Sequence, residues 1–153
     1  MTYEELLNIA STEDVEITEI SLPDNLEGMY FNNHIRINKD IGNLTGKACI
    51  LAEELGHYFT SMGDITNQSV TSNRKQELQA RLWAYNKQVG LLGIVQAYEN
   101  RCRDLHEMAD FLDVTETFLS DALVFYQSKY GVSVEIDNYI IRFIPNLQIT
   151  KLL

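Results

Sequence analysis

Glu53, Glu54 and His57 stand in the middle of KACILAEELGHYFTSMGDI, residues 47–65, a stretch that is otherwise apolar at helical spacing. Residues four apart on an α-helix lie one turn apart on the same face. Glu53 and His57 can therefore both turn toward one ion, with Glu54 about 100° around the helix. The pattern is HExxH with its first histidine replaced by glutamate. In HExxH sites the outer residues hold zinc, the intervening glutamate takes a proton from the metal-bound water, and a third ligand arrives from a later helix. Glu77, twenty residues after His57, is spaced for that third role.

The replacement of histidine by Glu53 alters the chemistry without forbidding it. A carboxylate binds zinc at about 2.0–2.2 Å. Two carboxylates with one neutral imidazole cancel the charge of the ion, so it becomes a weaker Lewis acid and its bound water ionises less readily. Oxygen-rich ligation also widens the choice of metal from zinc to manganese or iron. An isolated ExxxH more often marks a core histidine bonded to a backbone carbonyl, but here Gly56, Glu54 and Glu77 accompany it. Two readings of Glu53 stay open: a ligand, or a solvated helix residue that leaves water or Asp64 to complete the set. Asp64 itself either ends the helix or orients His57 through its free ring nitrogen. His34 touches substrate or simply alternates to the surface of a strand. Tyr85 donates to a developing oxyanion or belongs to the core. A di-iron site would need a second Glu-x-x-His, which the sequence lacks. A rival HExxD at His106, Glu107 and Asp110 has no later glutamate helix and reads as solvent-facing.

The stretch AEELGHYFTSMGDI, followed by KQELQARLWAY, resembles the ImmA/IrrE family of metallopeptidases, most closely its short members from phages and mobile elements of Gram-positive bacteria. The family's motif is a helix carrying HE(L)GH, then a helix with a glutamate ahead of an Ala-polar-x-aromatic-Ala run. Here those positions read Glu53-Glu54-Leu55-Gly56-His57 and Glu77-Leu78-Gln79-Ala80-Arg81-Leu82-Trp83-Ala84. The strand HIRIN, residues 34–38, resembles the family's edge strand beside the cleft, and the likeness spans roughly residues 25–130. It implies an α+β fold with a zincin-like minimal core, its site helices on a small antiparallel or mixed sheet. It also implies His57, Glu53 and Glu77 as ligands of one divalent ion, zinc or else manganese or iron, and Glu54 as the general base. The implied activity is cleavage of a partner protein, a phage or mobile-element repressor, which relieves repression. The alternative is a weak or inactive relative that regulates a repressor by binding it.

The elements that must position these residues follow from periodicity. Residues 2–10 have a short helical pattern, and Val15–Ile20 alternates loosely as a strand does. Met29–Phe31 and His34–Asn38 flank Asn32-Asn33, a pair that tolerates the positive φ of a hairpin turn. Residues 47–61 form the first site helix, which Gly63-Asp64 ends. Residues 73–89 form the second, with Leu78, Leu82, Trp83 and Tyr85 as core contacts. From Leu105 a helix, a turn at Asp113-Val114 and a second helix capped by Thr115 have helix-turn-helix spacing. A hairpin over 131–144 turns at Asp137-Asn138. This organises the chain as a core at 1–90, a helical segment at 91–130, and a hairpin with its tail at 131–153, all expected to form one compact unit.

Bulk numbers bound the partners. With 153 residues, 45% of them hydrophobic, the chain can bury one core. Twelve Lys and Arg against 22 Asp and Glu give a net charge of −10, which argues against nucleic acid or an anionic membrane as the main partner. No Lys or Arg occurs from Asp104 to Ser128, so the later helix pair reads as a protein-docking surface for a basic partner rather than a DNA reader. Cys49 and Cys102 lack metal or redox spacing and read as buried reduced thiols of a cytoplasmic protein. No apolar run approaches the roughly 20 residues of a membrane span.

Overall fold

The computed structural model describes residues 1–61 and 70–153, and among these described residues six helices, with six strands arranged as two small sheets, make an α+β chain. The residues cluster into two compact units, Met1–Lys87 and Gln88–Leu153. The helical segment and hairpin that the sequence separates both fall in the second.

Within the first unit, helix α1 (Tyr3–Thr12) begins at a capping box. The Thr2 hydroxyl accepts from the Glu5 amide at 3.2 Å, and the Glu5 carboxylate accepts from the Thr2 amide at 2.7 Å, satisfying two of the amides a helix start leaves unpaired. Strands β1 (Glu16–Ile20), β2 (Gly28–Phe31) and β3 (His34–Asn38) form a mixed sheet in the order β1-β3-β2. The β2–β3 hairpin turns at Asn32 and Asn33, with φ of 50° and 59°, the left-handed conformation that asparagine tolerates well. HIRIN is therefore not the edge strand that the resemblance implies. It pairs with β1 in parallel and with β2 antiparallel, so β3 is central and β2 is the edge. Ile35 and Ile37 of β3 are fully buried, and helix α2 (Leu44–Thr60) lies against β2 and β3. Its N-cap is Asn43, whose side chain accepts from the Gly46 amide at 2.6 Å. Lys47 of α2 pairs with Glu19 of β1 at 3.1 Å, and Tyr3 of α1 donates to the same carboxylate at 2.9 Å. That link fastens three elements and, through Lys47 first and Tyr3 second, holds the Glu19 carboxyl below its ordinary range.

Helix α3 (Val70–Gln88) is polar around most of its surface. Of its expected core contacts Tyr85 is buried and Leu82 and Trp83 are half-buried, but Leu78 is 53% exposed; Ala80, Ala84 and Gln88 are buried as well. The reason is the closeness of the two site helices, which only small residues permit.

The second unit comprises helices α4 (Gly90–Glu99), α5 (Leu105–Leu112) and α6 (Glu116–Tyr130), followed by an antiparallel sheet of β4 (Ser133–Ile136), β5 (Tyr139–Arg142) and β6 (Gln148–Lys151). Helix α4 and strand β6 are additions to the elements read from sequence. Asp113 ends α5 in the left-handed conformation at φ 55°, and the Thr115 hydroxyl caps α6 by accepting from the Phe118 amide at 3.1 Å. Cys49 is buried, whereas Cys102 is half-buried; both are free thiols.

Candidate functional site

Gly56 decides how α2 meets α3. A Cβ at this position would stand 2.2 Å from the Ala80 carbonyl oxygen, so the helices touch backbone to backbone and glycine is the residue that fits. One residue later on α2, His57 Nε2 lies 3.2 Å from Glu77 Oε2, one turn before Ala80 on α3. The other Glu77 oxygen receives Arg81 Nε at 3.3 Å. Phe59 and Trp83 stack one turn further along, centroids 4.9 Å apart and planes at 15°.

Glu54 projects from α2 toward the edge strand. A Cβ on Gly28 would lie 3.1 Å from Glu54 Oε1 and 2.7 Å from the Ile50 side chain, so the glycine of β2 leaves room for this carboxylate. Burial, then the charges of Glu53 and Glu77, push the Glu54 carboxyl up to about 7. Ile50, Glu53 and Glu54 of α2 line a cleft whose other residues are Asn25, Leu26, Glu27 and Gly28.

Two of the three expected ligands meet; the third stands apart. The His57–Glu77 separation equals a hydrogen bond, and it also equals the roughly 3.3 Å between two ligands of one tetrahedral ion with bonds of about 2.0–2.1 Å. Their chemistry, imidazole plus carboxylate, fits a divalent ion. Glu53 lines the cleft with Glu54, and among the described residues no group of three or more His, Cys, Asp and Glu side chains is gathered to hold a metal. Compared with family models, curated proteins and solved structures, the chain matches none. The functional reading rests on these residues and on the sequence resemblance.

Other candidates find different places. His34 does not face the cleft. It pairs with Phe31 across the hairpin, shares the outer face of the sheet with Met29 and Arg36, and contacts Glu16 at 3.5 Å. Strand alternation accounts for this, since buried Ile35 and Ile37 take the face toward α2. Tyr85 is 5% exposed, a core position. Asp64 lies outside the described residues. His106, head of the rival HExxD, is exposed and held by Glu116 at 2.5 Å and Asp110 at 3.4 Å. The Glu116 hydrogen bond, then the charges of Asp110 and Glu116, raise its pKa. Sequence reasoning missed Gly28, whose only signal is a small residue opening a strand, and Arg81, whose i+4 spacing from Glu77 is legible.

Proposed function

We propose that this chain is a metal-dependent endopeptidase with a zincin-like core, which cuts a partner protein; a repressor of phage or mobile-element type is the substrate that the ImmA/IrrE resemblance implies. The observation that carries the reading is the pairing of His57 with Glu77 beside a half-buried Glu54. A divalent ion held by His57 and Glu77, zinc or else manganese or iron, would polarise the scissile carbonyl and acidify the attacking water. Glu54, raised to about 7 by burial, is suited to accept a proton from that water near neutral pH and to pass it to the departing amine. Edge strand β2 borders the cleft and suits an extended substrate segment. The α5–turn–α6 pair is helix-turn-helix-like in form, and its acidic surface suits docking of a basic protein rather than DNA.

Metal content of chain purified without chelator, with His57→Ala and Glu77→Ala beside it, tests the site. Near-stoichiometric metal that both substitutions remove is expected, while Glu54→Gln keeps the metal and loses cleavage of the repressor encoded alongside. No metal in the wild type, and none taken up when offered, sinks the peptidase reading. A second reading, a repressor-binding protein without catalysis, draws on one observation, that among the described residues Glu53, His57 and Glu77 are not gathered as a ligand group. It expects Glu54→Gln to change nothing.

A further inference from the structure

A groove in the second unit follows the open edge of β6. Leu147, Gln148, Ile149 and Thr150 all line it, and Lys151 lines its continuation. Side chains alternate faces along a strand, so consecutive residues border one groove only where it runs along the strand's edge. Strand pairing gives the same answer. Leu152 donates to the Asn138 carbonyl at 2.6 Å, which makes 138 and 152 a hydrogen-bonded pair; in an antiparallel ladder 140–150 and 142–148 are then bonded too. Ile149 and Lys151 occupy the non-bonded positions between them. Their N–H and C=O groups point away from β5, toward the groove.

The groove has two chemically different halves that share Tyr98, Cys102 and Arg103. Its apolar half is lined by Leu105 and Met108 of α5, Leu123 of α6, and Leu147 with Ile149, together with Asp104, whose carboxylate accepts from the Glu107 amide. The other half collects Arg101, Arg103 and Lys151 beside Tyr139 and Glu99, the Glu99 carboxylate accepting from the Tyr139 hydroxyl. Residues 88–153 hold only five Lys and Arg (Arg101, Arg103, Lys129, Arg142 and Lys151) among nine Asp and Glu, so three of the five sit in this one place. Arg103 pairs with Glu107 at 2.8 Å, but Arg101 and Lys151 enter no ion pair among the described residues. Lys151 instead lies over the Tyr139 ring at 5.9 Å.

We propose that this groove binds an extended acidic peptide, which adds to β6 as a fourth strand, places apolar side chains between α5 and α6, and sets carboxylates against Arg101 and Lys151. Main-chain hydrogen bonds to Ile149 and Lys151 supply register, the trough supplies side-chain preference, and the cations select the sign of charge. The site lies within one unit and does not depend on the peptidase reading.

The test selects a displayed library of short random peptides on the full chain, then measures synthetic winners by fluorescence anisotropy. Enrichment of Asp and Glu among apolar residues is expected, with affinity falling as salt rises. Arg101→Glu combined with Lys151→Glu should weaken binding about tenfold or more. Ile149→Pro removes an outward N–H while sparing the bonds to β5, so it should abolish binding, and Ile149→Val should retain it. Should Ile149→Pro fail to fold, N-methylation of alternate peptide residues asks the same question of the wild-type chain, and it should abolish binding. Basic winners, binding indifferent to N-methylation, or no enrichment at all would overturn the proposal. So would a wild-type dimer that Ile149→Pro dissociates, which would give the edge to a second copy.

Discussion

Glu54 is an acid placed where acids are costly. Its folded pKa of about 7 lies above the ordinary carboxylate value of 4.5, so protonation favours the folded chain. The linked stability is fully present below about pH 4.5 and is lost as pH rises through about 7. Between those limits the loss amounts to roughly 3.5 kcal/mol at most, at about 1.4 kcal/mol for each unit. Glutamine keeps the shape and cannot ionise. In the presence of chelator, Glu54→Gln should therefore raise Tm at pH 8 and leave it nearly unchanged at pH 5, as thermal unfolding monitored by circular dichroism would report. An equal gain at both pH values would show that charge is not what the site resists. Much of this was legible in the sequence, because Glu53, Glu54 and His57 declare themselves by type and spacing. What spacing could not show is which residues of one helical face would stay together: His57 leans to Glu77 on α3, whereas Glu53 lines the cleft with Glu54.

At the scale of elements, the site depends on how closely α2 and α3 approach, and Gly56 sets that distance. Its absent Cβ is replaced by a backbone carbonyl, which cannot rotate aside as a flexible side chain does. Gly56→Ala should force the helices apart, cost about 1–3 kcal/mol, and separate His57 from Glu77. Gly42→Ala, where a Cβ would meet nothing within 4 Å, is the matched control. Urea titrations of both variants, with metal uptake measured alongside, check this. Wild-type stability and metal content in Gly56→Ala would mean that the contact is not what positions the pair. The same contact explains a sequence reading that failed, since Leu78 was expected in the core while small Ala80 and Ala84 take that face. Turn chemistry, by contrast, was readable: Asn32-Asn33 and Thr115 each do locally what their side chains favour. Helix α4 was hidden by Gly90 and Gly93, which look like breaks; Gly93 instead admits the Leu112 side chain, 3.1 Å from where a Cβ would stand. The central place of β3 comes from its parallel partner β1, a pairing across the chain that no local pattern announces.

For the whole molecule, the excess of ten negative charges is the property with the longest reach. Like charges repel across the folded chain, and salt at about 0.1 M screens them beyond roughly 10 Å. Among the described residues, the Lys and Arg ion pairs that work against this effect are partly exposed: Lys47–Glu19, Arg81–Glu77 and Arg103–Glu107. Exposed pairs of this kind contribute about 0–1 kcal/mol each, and salt weakens them as well. Repulsion therefore outweighs attraction. Raising sodium chloride should then raise Tm at pH 7.5, by an amount that shrinks as the pH falls toward 5 and carboxylates begin to protonate. The same charge should leave duplex DNA unshifted in gel electrophoresis even at low salt, because the α5–α6 pair presents no Lys or Arg between Asp104 and Ser128. A Tm that falls with added salt at pH 7.5 would reverse the ranking, making the attractive pairs the dominant electrostatic contribution.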